Sequence, residues 1–418
     1  MTDLRAAARE AWLYVLPLIE IAAVRSVGQL VGSQPNTFGA MRKLADHRSR
    51  AVTTPNNDTL YATAQLDLSA GPVTLTVPPS GERYVSLQLM DAYSNSFAVL
   101  GTRTTGTGGD VFTLVGPEAA AEGRNVVRAP TRHVWALARI LVEGPHDFEA
   151  AQKVQLGFSA QGPEVPPFAG HAKRVDSWPE YFASADVLMA QNPPPVTDLA
   201  MRARIAPLGL GEGRFDPSRF SEAEQAEIAA GVEDARKAAR SGGGLSGDTF
   251  IEGWAYPASK LGDFGQDYGF RAAVALGGLA ALPLVEATYL RAGAPGGGGA
   301  FDGTRNWRLH IPADRQIPVN SFWSLSMYEI TPEGQFYFTD NPLGRYAIGD
   351  RTAGLKWNDD GSLDLWIGHE RPSPERESNW LPAPAGPFAL FMRGYLPKAE
   401  LLDGRYRLPA VQEASSPP

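Results

Sequence analysis

Apolar and polar residues alternate along several stretches of this chain, and a two-residue period marks them as strands. In "LYATAQLDL", Leu60, Ala62, Ala64, Leu66 and Leu68 share one face, while Tyr61, Thr63 and Gln65 point the other way. "YVSLQLMDAY" places Val85, Leu87 and Leu89 on the inward row, with Asp91 next on it. In "HVWALARILV", Arg139 shares a row with Trp135, Leu137 and Leu141, and in "FALFMRGYL" Arg393 lies between Phe391 and Tyr395. Burying an ionised group on an apolar row is costly unless it is paired or hydrogen-bonded. Asp91, Arg139 and Arg393 are therefore expected either in internal ion pairs or around a polar pocket. A bulge near a strand end would break this register, at Asp91 first.

Residues 51–145 read as short strands with turn punctuation, "PPSGERY" and "TGTGGD" being loops between them. Residues 146–295 read as mainly helical. Ser221 and Glu224 have capping-box spacing ahead of "QAEIAAGVEDARKAARS", and "FRAAVALGGLAALPLVEATYLRAG" reads as a second, more buried helical stretch with glycine weak points. "APGGGGAFDG" (Ala294–Gly303) is the expected flexible loop or domain boundary. Strand texture returns over 304–411 in "WRLHIP", "VNSFWSLSMYEI", "SLDLWIGHE" and "PFALFMRGYLP", which suggests an antiparallel sandwich or jelly roll. The expected fold class is mainly β with a helical segment. The chain divides into an N-terminal helical region at 1–50, a β-sandwich at 51–145, helices at 146–295 and a second sandwich at 296–418. Near the N-terminus the apolar run Ala11–Ile19 is bracketed by Glu10 and Glu20 and interrupted by Pro17. That is short of the ~20 residues that span a bilayer, so a partly buried helix and no membrane partner are expected.

At 418 residues the chain is too long for one core. Cysteine is absent, which excludes disulfides, zinc-thiolate sites and a cysteine nucleophile. The net charge of −8 comes without a basic block to meet phosphates, so no nucleic-acid partner is expected. "GLGEG" and "TGTGGD" lack the strand–GxGxxG–helix setting of a dinucleotide site, and neither "GLSGD" nor "GFSAQ" is a GxSxG elbow. The six histidines show no HxH or HExxH spacing. No cofactor and no metal site are expected. Calcium on carboxylates and carbonyls is compatible with the residue types, but no EF-hand-like spacing supports it.

Candidate chemistry lies in polar loops. "TTPNNDTLYATAQLDL" (Thr53–Leu68) sets four polar residues in a row before a clean strand, more than a turn requires. "MDAYSNSFAVLGTRTTGTG" adds Asn95 and Arg103 after Asp91. "TDNPLGRYAIGDR" supplies Asn341, Arg345, Tyr346 and Asp350, and "RPSPERESNWLPAPAGPF" supplies Glu377, Asn379 and Trp380. This mixture of carboxylate, guanidinium, amide and aromatic groups suits a small polar or sugar-like ligand.

These motifs, together with "FWSLSMYE" and "GLKWNDDGSLDLWIGHERP", resemble the bacterial and fungal family that pairs domain of unknown function 1254 with domain of unknown function 1214. The resemblance runs from the "EAWLYVLPLIE" helix to "LDGRYRLPAV". It implies an immunoglobulin-like N-terminal sandwich, central helices and a C-terminal jelly-roll sandwich. Positions matching the family's polar motifs are Asn57, Asp58, Thr59, Tyr61, Asp91, Asn95, Arg103, Asn320, Trp323, Asn341, Arg345, Tyr346, Asp350, Glu377, Asn379 and Trp380. Asn56 departs from many relatives and is not relied on. Many members carry an N-terminal export signal that is not seen here, so a cytoplasmic setting is expected.

Three functions are compatible with these residues. The first is a hydrolase acting on a small polar, glycosidic or amide substrate in an inter-domain cleft. Its catalytic set would be Asp58, Asp91, Tyr61 and Arg103: Asp58 or Asp91 as general base or acid, Tyr61 as proton donor or relay, and Arg103 or Arg345 holding an anion. Substrate would meet Asn57, Thr59, Asn95, Arg139, Asn320, Trp323, Asn341, Arg345, Tyr346, Asp350, Glu377, Asn379, Trp380 and Arg393, with Trp323 or Trp380 stacking on it. The second is a non-catalytic carbohydrate or metabolite binder. The third is a structural module whose polar loops lock the domains, and a homo-oligomer is compatible with any of them.

Overall fold

The computed structural model describes residues 3–30, 33–50, 53–241, 246–295, 299–332 and 334–414. Helices take up 26% and strands 27% of the chain, the strands lying in several sandwich-like sheets, so the fold is mainly β with a helical segment, as the alternation predicts.

Four helices form one layer: α1 (Leu4–Leu30), α2 (Trp178–Gln191), α3 (Glu222–Ser241) and α4 (Tyr268–Gly277). The alanine- and leucine-rich α1 favours helix strongly enough to continue through Pro17. Its Trp12, Tyr14, Val15, Leu18 and Ile19 are buried against Phe182 of α2, Ile228 and Val232 of α3 and Ala272 of α4. Leu4–Gly28 is long and apolar enough to cross a membrane by length and composition, a correction to the short span read from the sequence; 61% of its most apolar window is buried inside the fold. The Ser221–Glu224 capping box opens α3, with the Ser221 amide donating to Glu224 Oε2 at 2.9 Å. Gly231 lets α3 cross α1 closely, because a Cβ there would stand 2.2 Å from the Arg5 carbonyl oxygen.

The N-terminal sandwich packs two sheets. The five-stranded one contains β1 (Thr59–Asp67), β2 (Val85–Asp91), β3 (Ser96–Gly101) and β4 (His133–Leu141), in the order Gly39–Ala40, β1, β4, β2, β3. Facing it are Val126–Arg128, Asp110–Val115, Val73–Val77 and Ser159–Gln161. Leu60, Ala62, Leu87, Leu89, Ala136 and Ile140 meet Leu75 and Leu114 in their shared core. The C-terminal sandwich is built on an eight-stranded sheet with β5 (Ala287–Ala292), β6 (Trp323–Ile330), β7 (Ala347–Gly349) and β8 (Pro387–Tyr395). Within it β5 pairs with β8, β8 with β6, and β6 with β7. Trp380–Pro382, Leu363–Gly368, Trp307–Ile311 and Val411–Glu413 cover one face.

Residues 146–295 hold more strand than expected. Ser159–Gln161 joins the first sandwich, and Ser246–Ile251, Trp254–Pro257 and β5 join the second. The stretch read as one buried helix is α4 followed by a strand: the helix ends at the Gly277–Gly278 pair, Pro283 follows, and the β-favouring "ATYLRA" pairs with β8. The glycine-rich loop at 294–303 does not separate domains, since strands on both of its sides enter the same sheet; its residues 296–298 lie outside the described residues.

Register decides what lies between the sandwiches. Trp323, Leu325 and Met327 of β6, and Leu390 and Met392 of β8, point into the C-terminal core. Ser324, Ser326 and Tyr328, and Phe391, Arg393 and Tyr395, occupy the opposite face. On the N-terminal side, Tyr61, Gln88 and Arg139 likewise point away from their own core. These outer faces meet: Tyr84 and Leu141 pack with Ala287, Tyr289, Phe322 and Tyr395 in one buried cluster. The arginines on apolar rows thus belong to the layer between two sandwiches.

Candidate functional site

The polar run before β1 is stitched onto the outer face of the C-terminal sheet. Arg393 Nη2 donates to the Thr54 carbonyl at 3.1 Å, and the Tyr328 hydroxyl donates to the Pro55 carbonyl at 2.6 Å. Asn56 Nδ2 donates to Tyr395 Oη at 2.9 Å, and Ser324 Oγ donates to Asp58 Oδ2 at 2.6 Å. Thr54 takes φ 51°, a left-handed conformation that a β-branched residue rarely adopts. Arg393 and Ser324 are direct cross-strand partners, so β6 and β8 present the receiving groups side by side. Arg393 is itself braced by Ser326 Oγ at 2.6 Å.

This clasp places Asp58 at the wall of a cleft of about 800 Å³ between the sandwiches. Asn57, Leu141, Glu143 and Phe148 line it from the N-terminal side; Phe322, Trp323, Ser324, Arg345, Tyr346 and Arg351 line it from the other. Asp58 is enclosed by protein but keeps part of its surface open. Burial pushes its carboxyl up, against the pull of the Arg393 guanidinium and the Ser324 hydroxyl. Asp350 sits between the lining residues Gly349 and Arg351, where one of its oxygens accepts from the Trp323 amide at 3.1 Å. It is solvent-exposed on one side; the protein on its other side, with a small contribution from the Asp58 charge, pushes its carboxyl up to about 6. Two acids of raised pKa are therefore close enough to influence each other.

Cations flank this pair. Arg345 Nη1 donates to the carbonyls of Glu377, Ser378 and Trp380 at 3.0, 3.1 and 2.7 Å. Arg351 bridges the domains to Glu143 at 2.5 Å, both side chains being about 40% exposed. Glu143 is held in turn by a turn that Asp147 organises: Asp147 accepts the Glu143 amide at 2.8 Å, and Arg83 grips the Asp147 carboxylate.

The remaining expected residues go elsewhere. Asp91 is buried in the β2–β3 turn, where its carboxylate accepts from the Tyr93 and Asn95 amides at 2.9 Å and from Asn95 Nδ2 at 3.0 Å. The ladder slips between Leu89 and Met90, so the inward row ends before reaching it. Arg103 reaches Glu286 at 2.5 Å, and Glu286 also accepts from the Tyr84 hydroxyl at 2.9 Å. Neither Asp91 nor Arg103 lines the cleft, which corrects their grouping with Asp58. Tyr61 lies under Arg139, whose guanidinium is 5.6 Å from the ring and donates to Gln88 Oε1 and the Ala280 carbonyl. Both belong to the inter-domain layer rather than to the cleft wall.

Thr59 and Asn57 act locally, Asn57 Nδ2 donating to the Ala45 carbonyl at 2.6 Å. Asn341 organises its own turn by accepting from the Arg345 amide at 3.0 Å, and buried Asn379 holds Lys356 and Asp364 backbone. Glu377 pairs with Arg371, and Asn320 is exposed away from the cleft. The stacking role does not survive: Trp380 is 1% exposed with its indole N–H on the Gly368 carbonyl, and Trp323 is 4% exposed. Among the described residues, no cluster of acids and histidines is arranged to hold a metal ion.

Known proteins agree with this two-part construction. A family model described as a protein of unknown function (DUF1254) matches residues 35–162, and another (DUF1214) matches residues 286–399. The chain belongs to the family that combines these two domains. The first match contains the clasp and Asp58, and the second contains Ser324, Arg345, Asp350 and Arg393, so the cleft needs both. The crystal structure of the VPA0106 protein from Vibrio parahaemolyticus is similar over 99% of this chain and 100% of its own, with 21% identity and a TM-score of 0.74, a likeness of fold. A putative uncharacterized protein from Burkholderia cenocepacia aligns over 99% and 94% of the two chains at 11% identity, but its TM-score of 0.46 supports no argument. No curated protein matches the chain.

Sequence spacing gives no site role to Ser324, His47 or Tyr395, and Asn56, set aside as a departure from many relatives, is a member of the clasp. Ser324 had a signal: in "WSLSMY" the serines alternate with the core residues Trp323, Leu325 and Met327, which places them on the second face of a strand. His47, whose Nδ1 lies 2.8 Å from Tyr346 Oη at the edge of the cleft, had none.

Proposed function

We propose that the protein is a hydrolase using carboxylate acid–base chemistry on a small polar substrate, with Asp58 and Asp350 as the acid–base pair. The observation that carries this reading is the placing of two carboxyls with raised pKa, from different sandwiches, near one another: Asp58 on the cleft wall, and Asp350 just behind it between the lining residues Gly349 and Arg351. Such a pair lets one site keep a proton acceptor and a proton donor together. Asp58 accepts from Ser324 and feels Arg393, both of which favour its ionised form, and it takes a proton from water. The hydroxide so formed adds to the electrophilic carbon of the substrate. Asp350, protonated in part near pH 6, gives its proton to the leaving group. The buried indoles of Trp323 and Trp380 favour an amide or ester over a sugar ring that would need a stacking face.

A panel of 4-nitrophenyl esters, 4-nitroanilides and 4-nitrophenyl glycosides tests this. One class is expected to be hydrolysed, with kcat falling as pH rises above about 6 and Asp58→Asn reducing turnover by ~10²–10⁴-fold at little change in melting temperature. Undiminished turnover in Asp58→Asn removes that residue from the mechanism. A second reading, the structural lock, is favoured by the four contacts that Thr54, Pro55, Asn56 and Asp58 make across the domains. It predicts no turnover of any class and a large stability loss in the same variant.

A further inference from the structure

We infer that the cleft takes an organic acid, its carboxylate held by Arg345 and its apolar body lying along Leu44, Phe148 and Leu343. This rests on the cleft being the substrate site and names the class of molecule that fills it. The two cleft arginines differ in a way that chooses between them. Arg351 already has a carboxylate, that of Glu143 at 2.5 Å. Arg345 has none within ion-pair distance among the described residues, and Glu377, the acid whose charge supports it, is paired with Arg371. A guanidinium carries five N–H donors in a fixed fork. Nη1 of Arg345 uses its hydrogens on three backbone carbonyls, which lock the plane of the group, while Nε and Nη2 carry no hydrogen bond among the described residues.

A half-buried cation with an immobilised plane and an unfilled edge is preorganised for two-point binding of a carboxylate. Burial works against the charge of Arg345 more strongly than Glu377 supports it, so an incoming anion supplies what the fold leaves out. The walls agree with the rest of such a molecule. Leu44, Phe148 and Leu343 line the cleft and are only partly buried, so each has apolar surface to offer a ligand. Of the cleft's acids, Glu149 lies at the exposed rim, Glu143 is paired with Arg351 and Asp58 is engaged by Ser324 and Arg393, so Arg345 is the cleft cation left for an incoming anion.

Calorimetric titration with phenylacetate and its neutral counterpart phenylacetamide tests the assignment. The wild-type protein is expected to bind phenylacetate at least ~10-fold more tightly, the scale of one charge-assisted contact of about 1.4 kcal/mol. Arg345→Gln is expected to remove that preference, while Arg351→Gln keeps it within about twofold because Arg351 is already engaged. Equal binding of acid and amide by the wild-type protein overturns the proposal even if Arg345→Gln fails to fold, and so does loss of the preference in Arg351→Gln alone. Phenylacetate carries no bond to hydrolyse, so its binding is independent of turnover. Acid-selective binding without hydrolysis of any chromogenic class would sink the hydrolase reading and keep this one. Hydrolysis of neutral substrates with no acid preference would do the reverse.

Discussion

Asp58 and Asp91 pose the same physical problem and solve it differently. Both are enclosed by protein, and burial raises the pKa of each. Asp91 is satisfied within five residues of chain, by two amides and the side chain of Asn95. Asp58 finds Ser324, 266 residues away in sequence, and Arg393, farther still along the chain, across the boundary between two sandwiches. An aspartate closed within its own turn contributes to a local shape. One that depends on another domain stands where a cleft can open, and its proton affinity changes with whatever enters.

The strongest way to break this contrast is at Arg393. Replacing it with Met leaves Asp58 facing a buried environment without its cation and frees the Thr54 carbonyl and Ser326 hydroxyl. A loss of about 3–5 kcal/mol is expected, read as a shift of the guanidinium midpoint; a shift below about 1 kcal/mol would mean that the pair behaves like a surface contact. Asp91→Ala removes the acceptor of three hydrogen bonds and is expected to lose about 1–3 kcal/mol, with turnover per folded molecule unchanged. Loss of activity at full stability in that variant would return Asp91 to the site. The smallest effect is expected at Asp350. Its folded pKa, about 6, lies above the ordinary carboxylate value of 3.8, so the native state holds more protons than the unfolded chain between those values. Stability therefore falls as pH rises from about 4 to about 6, and ionised Asp350 opposes the fold. Melting temperatures of Asp350→Asn across that range should show a flatter slope than wild type; an unchanged slope would assign the titration to another group.

Much of the architecture was legible in one dimension because strand period and core burial are local properties. The alternation in β1, β2, β4 and β8 reports which residues enter a core, and Ser221 with Glu224 marks a helix start from three residues' spacing. The reading failed where local texture competes with tertiary pairing. Helical texture carries the sequence-based expectation past the Gly277–Gly278 pair and Pro283 into "ATYLRA", whereas pairing with β8 makes that segment a strand. The site was half legible. Asp58, Arg345 and Asp350 stood out as polar groups in loops, but Asp91 and Arg103 stood out equally and went elsewhere. Sequence spacing carries no information on which of several charged loops converge.

The sequence by itself determined which faces are apolar, that Arg139 and Arg393 interrupt such faces, and that thiol chemistry is absent. Only the tertiary structure decided that each arginine's apolar row faces a second sandwich instead of its own core, because a strand's two faces are set by its backbone while the partner of the outer face is set by packing. The same distinction governs Asp58: its polarity is written locally, and its raised pKa, its serine and its cleft exist only once β6 and β8 lie across from it.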